Sequence, residues 1–195
     1  MIDIVIPHNN EEEFISMAEK LGYDGVCLLY HSFNVSKKFD SKNIKIYSEV
    51  LADSKLFNKK KPNGFVAVKS SNNDKEIMER SKSDMIFSFE DNARKDFIHQ
   101  RGSGLNHIMC RLAKKNNVII GFSLNSILNE GNIQRIMGRM KQNIKLCRKF
   151  KVRSLIASFA ENPFDMRSSH DMISLFKILG MENPEFLKES DIRGM

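Results

Sequence analysis

Arg101, Gly102, Ser103 and Gly104 stand directly before Leu105, Ile108, Met109 and Leu112, whose i, i+3, i+4, i+7 spacing places four apolar side chains on one helical face. An arginine and two glycines at the start of a helix can bind an anion. The free N–H groups of the first turn and the guanidinium would face one spot, with phosphate as the expected occupant. Ser103 is the expected cap, and Asn116–Asn117 the expected left-handed stop. An ordinary strand–loop–helix junction uses the same residue types, and on those types alone it is the more economical account.

Other chemistry is thinly provided. A two-metal phosphoesterase barrel needs a His-x-His pair on its first strand and further ligands on later strand ends. Here the first strand offers Asp3, Val5 and a single His8, while His31, His99, His107 and His170 come one at a time. His8 and His31 would both lie at strand ends on a barrel mouth, which keeps a metal-dependent phosphoesterase as an alternative, but isolated histidines are the simpler reading. The GFSLN run, residues 121–125, lacks the second glycine of a nucleophile elbow. The GSG fragment lacks the third glycine of a dinucleotide loop, and Glu90–Asp91 reads as a loop start rather than an acid/base pair. No catalytic constellation emerges. Cys27, Cys110 and Cys147 are far apart with no C-x-x-C, which argues against a disulfide framework or zinc site.

The elements that would carry these residues alternate. Strands are expected at 2–6, 26–30, 44–51, 65–68, 85–89, around 96–99, at 118–124 and at 154–159. Helices are expected at 11–21, 72–80, 105–115, 132–150 and 168–179. Eight strands with intervening helices predict an α/β fold, a (β/α)₈-like barrel with some outer helices trimmed, with an open doubly wound sheet as the alternative. Residues 1–181 form the single domain. Residues 182–195 form a short tail, expected to fray beyond its anchors Phe186 and Leu187. With no apolar run long enough for a membrane span and no signal peptide, the chain is expected to be cytoplasmic.

Charge is distributed unevenly. Residues 92–160 hold 14 Lys or Arg against two acids, Asp96 and Glu130, a net of +12, so the rest of the chain is net −5. Such concentration points to a polyanionic partner. In the helix at 132–150, Ile133, Ile136, Met137, Met140, Ile144 and Cys147 share one face. Arg135, Arg139, Lys145, Arg148 and Lys149 are expected on the other, with no acid to make i, i+4 pairs. A plain solvated helix face is the competing account.

Four pieces together resemble one family in order and spacing. They are the opening IDIVIPHN, KLGYDGVCLLY after the first helix, QRGSGLNHIMCRLAKKNNVIIGFSL at 100–124, and ENPFDMRSSHDMISLFKILGM near the end. The chain resembles ribonuclease P protein component 3, the archaeal and eukaryotic barrel subunit of the endonuclease that removes 5′ leaders from precursor tRNA. The resemblance implies a TIM- or PHP-type barrel that binds RNA and is not catalytic alone. It implies that the RNA subunit does the chemistry with its own magnesium, and that no cofactor is bound by this chain. It implies as partners ribonuclease P RNA, precursor tRNA, protein component 2 and other protein subunits. It assigns RNA contacts to Arg101, His107, Arg111 and Lys114 in the RGSGLNH-helix match, and to Arg167 and Ser168 in the MRSSHD match. Charge alone nominates Arg135, Arg139, Lys145 and Arg148. A barrel that holds a phosphorylated metabolite through Arg101 is a third possibility.

Overall fold

Strands covered on both faces are apolar at nearly every position, as parallel strands must be, and seven such runs form the sheet in the computed structural model of the chain. The structure describes all residues except 32–38, 53–60, 62–63, 94, 98–100, 129–130 and 194–195. The strands are β1 (Ile2–Val5), β2 (Gly25–Tyr30), β3 (Lys45–Ala52), β4 (Val66–Lys69), β5 (Met85–Phe87), β6 (Ile119–Ser123) and β7 (Ser154–Ala157). Each pairs in parallel with the next in sequence order. Just beyond β7 the chain returns to β1. Phe159 N–H donates to Ile4 O at 2.8 Å, Ile6 N–H donates to Ala160 O at 2.9 Å, and Val5 bridges Ala160 in parallel. The sheet closes on itself, which excludes the open doubly wound alternative.

Side chains alternate between two cores. Ile4, Leu29, Leu51, Ala67, Phe87 and Leu155 fill the barrel, while Val26, Leu28, Val66, Ile86, Phe122 and Ile156 face the outer helices. Those helices are α1 (Glu11–Lys20), α2 (Asp74–Glu79), α3 (His107–Lys115), α4 (Asn125–Leu128), α5 (Ile133–Phe150), α6 (Ser169–Ile178) and α7 (Glu189–Arg193). Beyond its anchors Phe186 and Leu187 the tail stays packed as far as Ile192. Leu187 and Ile192 join the inner core, Ile156 N–H donates to Glu185 O at 2.8 Å, and Arg153 grips Asp191 with two bonds of 2.7 and 2.8 Å. The three cysteines are free and buried.

The strand expected around 96–99 is not found among the described residues. Around residues 96–99 the chain runs irregularly through Asp96 and Phe97, and residues 98–100 lie outside the described ones. β5 pairs directly with β6, so the sheet has no place for a strand between them, and side chains of α5 hold the connection instead. Fully buried Arg139 donates from Nη1 to the carbonyls of Glu90 and Asn92, both at 2.8 Å, and from Nε to Asp96 Oδ1 at 2.9 Å. Asn143 donates to Glu90 Oε1 at 2.7 Å and to Ser103 O at 2.9 Å, and Gln142 donates to Ser103 Oγ at 2.7 Å. Helix α5 therefore pins the connection at Glu90, Asn92, Asp96 and Ser103. Gly104 completes the clamp, with φ +83° and its Cα so close to Phe89 O that a Cβ would collide.

This corrects the expectation that Arg139 belongs to the exposed basic face. It shares the buried face of α5 with Ile136, Met140, Asn143, Ile144 and Cys147. Its acidic partner comes from a distant part of the chain, which i, i+4 reasoning does not see.

The clamp can be tested by substitution. Arg139→Met leaves the Glu90 and Asn92 carbonyls without this donor and Asp96 with only Gly102 N–H and Arg101. At about 1–3 kcal/mol for each buried acceptor left unsatisfied, it should destabilise the fold by about 2–4 kcal/mol. Lys145→Glu, a change on the exposed face, should stay within about 0.5 kcal/mol. Chemical denaturation of both variants reads this directly, and equal midpoints would show the clamp to be unimportant. A second prediction concerns pH. Burial pushes the Glu90 carboxyl up to about 7, against the bond from Asn143, and the Asp3 carboxyl up to about 6, against its bonds with Ser158. Both groups hold protons more tightly folded than unfolded, so stability falls as pH rises from the ordinary carboxylate range towards 7. Thermal melts should give a higher Tm at pH 5 than at pH 7.5. Glu90→Gln, which mimics the protonated acid and still accepts from Asn143, should flatten the upper part of that slope. Parallel profiles for parent and variant would assign Glu90 an ordinary pKa.

Candidate nucleic-acid interface

The loop 101–106 delivers α3 onto α5, and the local chemistry decides how α3 begins. Asn106, not Ser103, caps it: its side chain accepts from Ile108 N–H at 2.9 Å and Met109 N–H at 3.0 Å. Ser103 is instead buried and accepts from Gln142. At the other end Asn117 takes the left-handed conformation, φ 54°, that the Asn–Asn pair predicts.

Arg101 does not aim at the start of α3. Its guanidinium lies on Gly138 of α5, where any Cβ would strike it, and 3.6 Å from Asp96. Its backbone is held by Gln142 on both sides, at 3.1 and 3.4 Å. The expected anion site at Arg101 and the first turn of α3 is therefore not assembled, because α5 and Asn106 have claimed its parts. Asp96 between the two arginines stays ionised: burial opposes its charge, but the bonds from Gly102 N–H and Arg139 and the Arg101 charge hold its carboxyl below the usual range.

The cations gather elsewhere. Where α3 and α5 lie side by side, Arg111, Lys114, Lys115, Lys149, Phe150 and Lys151 line an open groove of about 620 Å³ with no acidic residue on its walls. Lys141 and Lys145, both exposed, precede Lys149 at four-residue steps and extend the basic row along α5. Of the nominated residues, Arg111 and Lys114 stand in this groove and Lys145 on the row leading to it. His107 is exposed at the first turn of α3, and Arg135 is half-buried at the first turn of α5. Arg148 is bonded to Glu182 at 2.8 Å. Arg167 donates to Phe164 O and Met166 O at 2.8 and 2.7 Å, and Ser168 caps α6 by accepting from Asp171 N–H at 3.2 Å. Those two hold the turn into α6 and do not join the groove. Lys115, Phe150 and Lys151 were not nominated by the sequence. The only signal for the two lysines is that α3 and α5 both end in cations, and that signal acquires meaning only once the two helices touch.

The barrel mouth, where enzymes of this architecture place their chemistry, is a cup of about 270 Å³. Its lining includes Lys69, Ser88, Asp91, Ser123, Asn125 and Glu161. Phe87 and Phe159 stack across the barrel just beneath it, with centroids 4.0 Å apart. His8 sits 3.7 Å from Glu161, and among the described residues no three His, Cys, Asp or Glu side chains are grouped as a metal site requires. No helix among the described residues is long and apolar enough to cross a membrane.

Comparison with known proteins bears on the same region. Residues 92–186 match the family described as RNase P subunit p30. Ribonuclease P protein component 3 of Methanosarcina mazei is 30% identical over 188 residues, covering 92% of this chain and 78% of that protein. Its counterpart in Methanococcoides burtonii is 29% identical over 185 residues, covering 91% and 76%. Among solved structures, a chain in the cryo-EM structure of archaeal ribonuclease P with mature tRNA superimposes with a TM-score of 0.74. It is 22% identical, covering 91% of this chain and 82% of that one. A histidinol phosphate phosphatase from Lactococcus lactis, crystallised with zinc, L-histidinol and phosphate, gives a TM-score of 0.62 at 8% identity, covering 94% and 95%. The two structural likenesses establish the closed α/β barrel. The sequence similarity, which runs almost from end to end, establishes more: the chain belongs to the ribonuclease P protein component 3 family.

Proposed function

We propose that this chain is an RNA-binding protein subunit of ribonuclease P, which supports a catalytic RNA in the endonucleolytic removal of 5′ leaders from precursor tRNA. The observation that carries this reading is the acid-free basic groove between α3 and α5, which falls within the residues matched to the family. These cations would replace the counterions condensed on an RNA backbone and release them to solvent, giving sequence-independent binding that weakens steeply with salt. The partners on this reading are ribonuclease P RNA, precursor tRNA, protein component 2 and other protein subunits. Magnesium serves the RNA, the chain itself binds no cofactor, and the assembly works in the cytoplasm.

Chemistry by this chain alone has less support. The phosphatase shares its barrel but only 8% of its residues, and the mouth of this barrel offers scattered donors over a stacked aromatic pair. The basic surface lies on the outer helices instead, as suits a protein that holds an RNA rather than cuts one.

The test is RNA binding as a function of salt. Arg111→Glu, Lys114→Glu and Lys145→Glu together remove exposed charge without touching the core, so the triple variant should melt like the parent. Its log–log salt slope for precursor tRNA or ribonuclease P RNA should flatten by about 0.7–1 for each phosphate no longer neutralised. Reconstituted 5′ processing should fall in parallel. Undiminished binding and full cleavage by a folded triple variant would mean that the groove is merely solvated.

A further inference from the structure

The groove holds an aromatic ring among its cations, and charge alone does not account for that. Phe150 is the last residue of α5, half-buried and packed against the outer core. The Arg111 guanidinium carbon and the Lys149 ammonium nitrogen each lie over its ring, 5.9 Å from the centroid. That is the outer edge of the cation–π range, about 6 Å. A base sandwiched between ring and guanidinium needs two stacking layers of about 3.4 Å each, close to 7 Å in all. The observed gap falls short by roughly an ångström, which an exposed arginine side chain can yield.

The placement of the cations points the same way. Lys114, Lys115 and Lys149 lie in the last turns of their helices, where the helix dipole alone would favour them. Arg111 stands a turn further in. Lys151 lies past the end of α5 at φ 53°, a left-handed position usually given to glycine. The dipole does not account for Arg111, nor for a lysine rather than a glycine at the left-handed cap of α5. Both line the groove around Phe150.

We propose that this groove receives an unpaired nucleotide, its base inserted between the Phe150 ring and the Arg111 guanidinium and its flanking phosphates met by the surrounding lysines. The inference rests on the RNA-binding reading above and narrows it to single-stranded or looped RNA. An A-form duplex keeps its base faces stacked internally and offers a protein only phosphates, 2′-hydroxyls and groove edges. A ring recessed among cations is useless to a duplex and is the working element of single-strand binding.

The experiment uses the full chain with two RNA probes of equal length: a hairpin carrying 2-aminopurine in its loop and a blunt duplex. The parent should bind the hairpin more tightly and quench the 2-aminopurine. Phe150→Tyr should do the same. Phe150→Leu should lose the quenching and at least about fivefold of hairpin affinity, the low end for one aromatic–base stack, with its salt slope unchanged. Arg111→Lys keeps the charge but removes the flat guanidinium. It should weaken quenching without altering the slope, and it decides the matter if Phe150→Leu fails to fold. Equal affinity for hairpin and duplex with no fluorescence change, or full quenching retained in Arg111→Lys and in folded Phe150→Leu, overturns the stacking site while leaving salt-dependent RNA binding intact. Loss of salt-dependent binding altogether would strike the broader reading as well.

Discussion

Arg139 is a charged side chain with no exposure to solvent, and the arrangement of this surface depends on how that charge is satisfied. Its guanidinium reaches two backbone carbonyls and the Asp96 carboxylate from one position on α5. Burying such a pair adds little net stability, because desolvation offsets most of the attraction. Losing one partner is expensive. The clamp therefore acts chiefly by forbidding alternatives. The connection from β5 to α3 cannot pair as a strand or swing into solvent without stranding a buried ion. Because that connection is pinned, α3 is set beside α5 and two series of lysines and arginines come together.

The division between structural and available charge follows from the same contacts. Arg139, Arg148 and Arg153 each have a carboxylate within 2.9 Å, and Arg101 has one at 3.6 Å. For Arg139, Arg148 and Arg153 these acids lie more than 30 residues away in sequence; for Arg101 the acid is five residues before it. The groove residues have none on their walls. A basic window of +12 thus resolves into arginines that hold the fold and a cluster, mostly lysine, left facing water. Arginine suits the first role, since its planar fork satisfies several acceptors at once. Lysine serves well enough as a point charge for phosphate.

The barrel itself is built for rigidity. Its interior is packed from floor to mouth: Leu187 and Ile192 close the bottom, and the stacked Phe87 and Phe159 lie beneath the shallow cup at the top. A histidinol phosphate phosphatase shares this barrel, while here the acid-free basic groove lies between outer helices, away from the mouth. Fold and function separate cleanly in such a case.

Much of this was written locally. All seven strands begin and end within two residues of the positions expected from apolar runs. Asn117 as a helix stop, the apolar stripe Ile136–Met140–Ile144–Cys147 and the uneven charge could all be read from neighbours along the chain. Periodicity registers such features because a helix or a parallel strand imposes its own spacing. What it missed has one cause. Arg139 and Asn143 fall on the border of the apolar stripe, and a polar residue there reads as exposed unless its partner is known. The partners, Asp96, Glu90 and Ser103, lie 40 or more residues away. Asn106 displaced Ser103 as the cap because Ser103 was already engaged by Gln142. The strand expected near residue 96 has no place in the barrel, because β5 pairs directly with β6. The sequence by itself determined the elements, their order and the sign of the surface. Which charges are buried, and which remain for a ligand, was decided only when distant segments competed for the same hydrogen bonds.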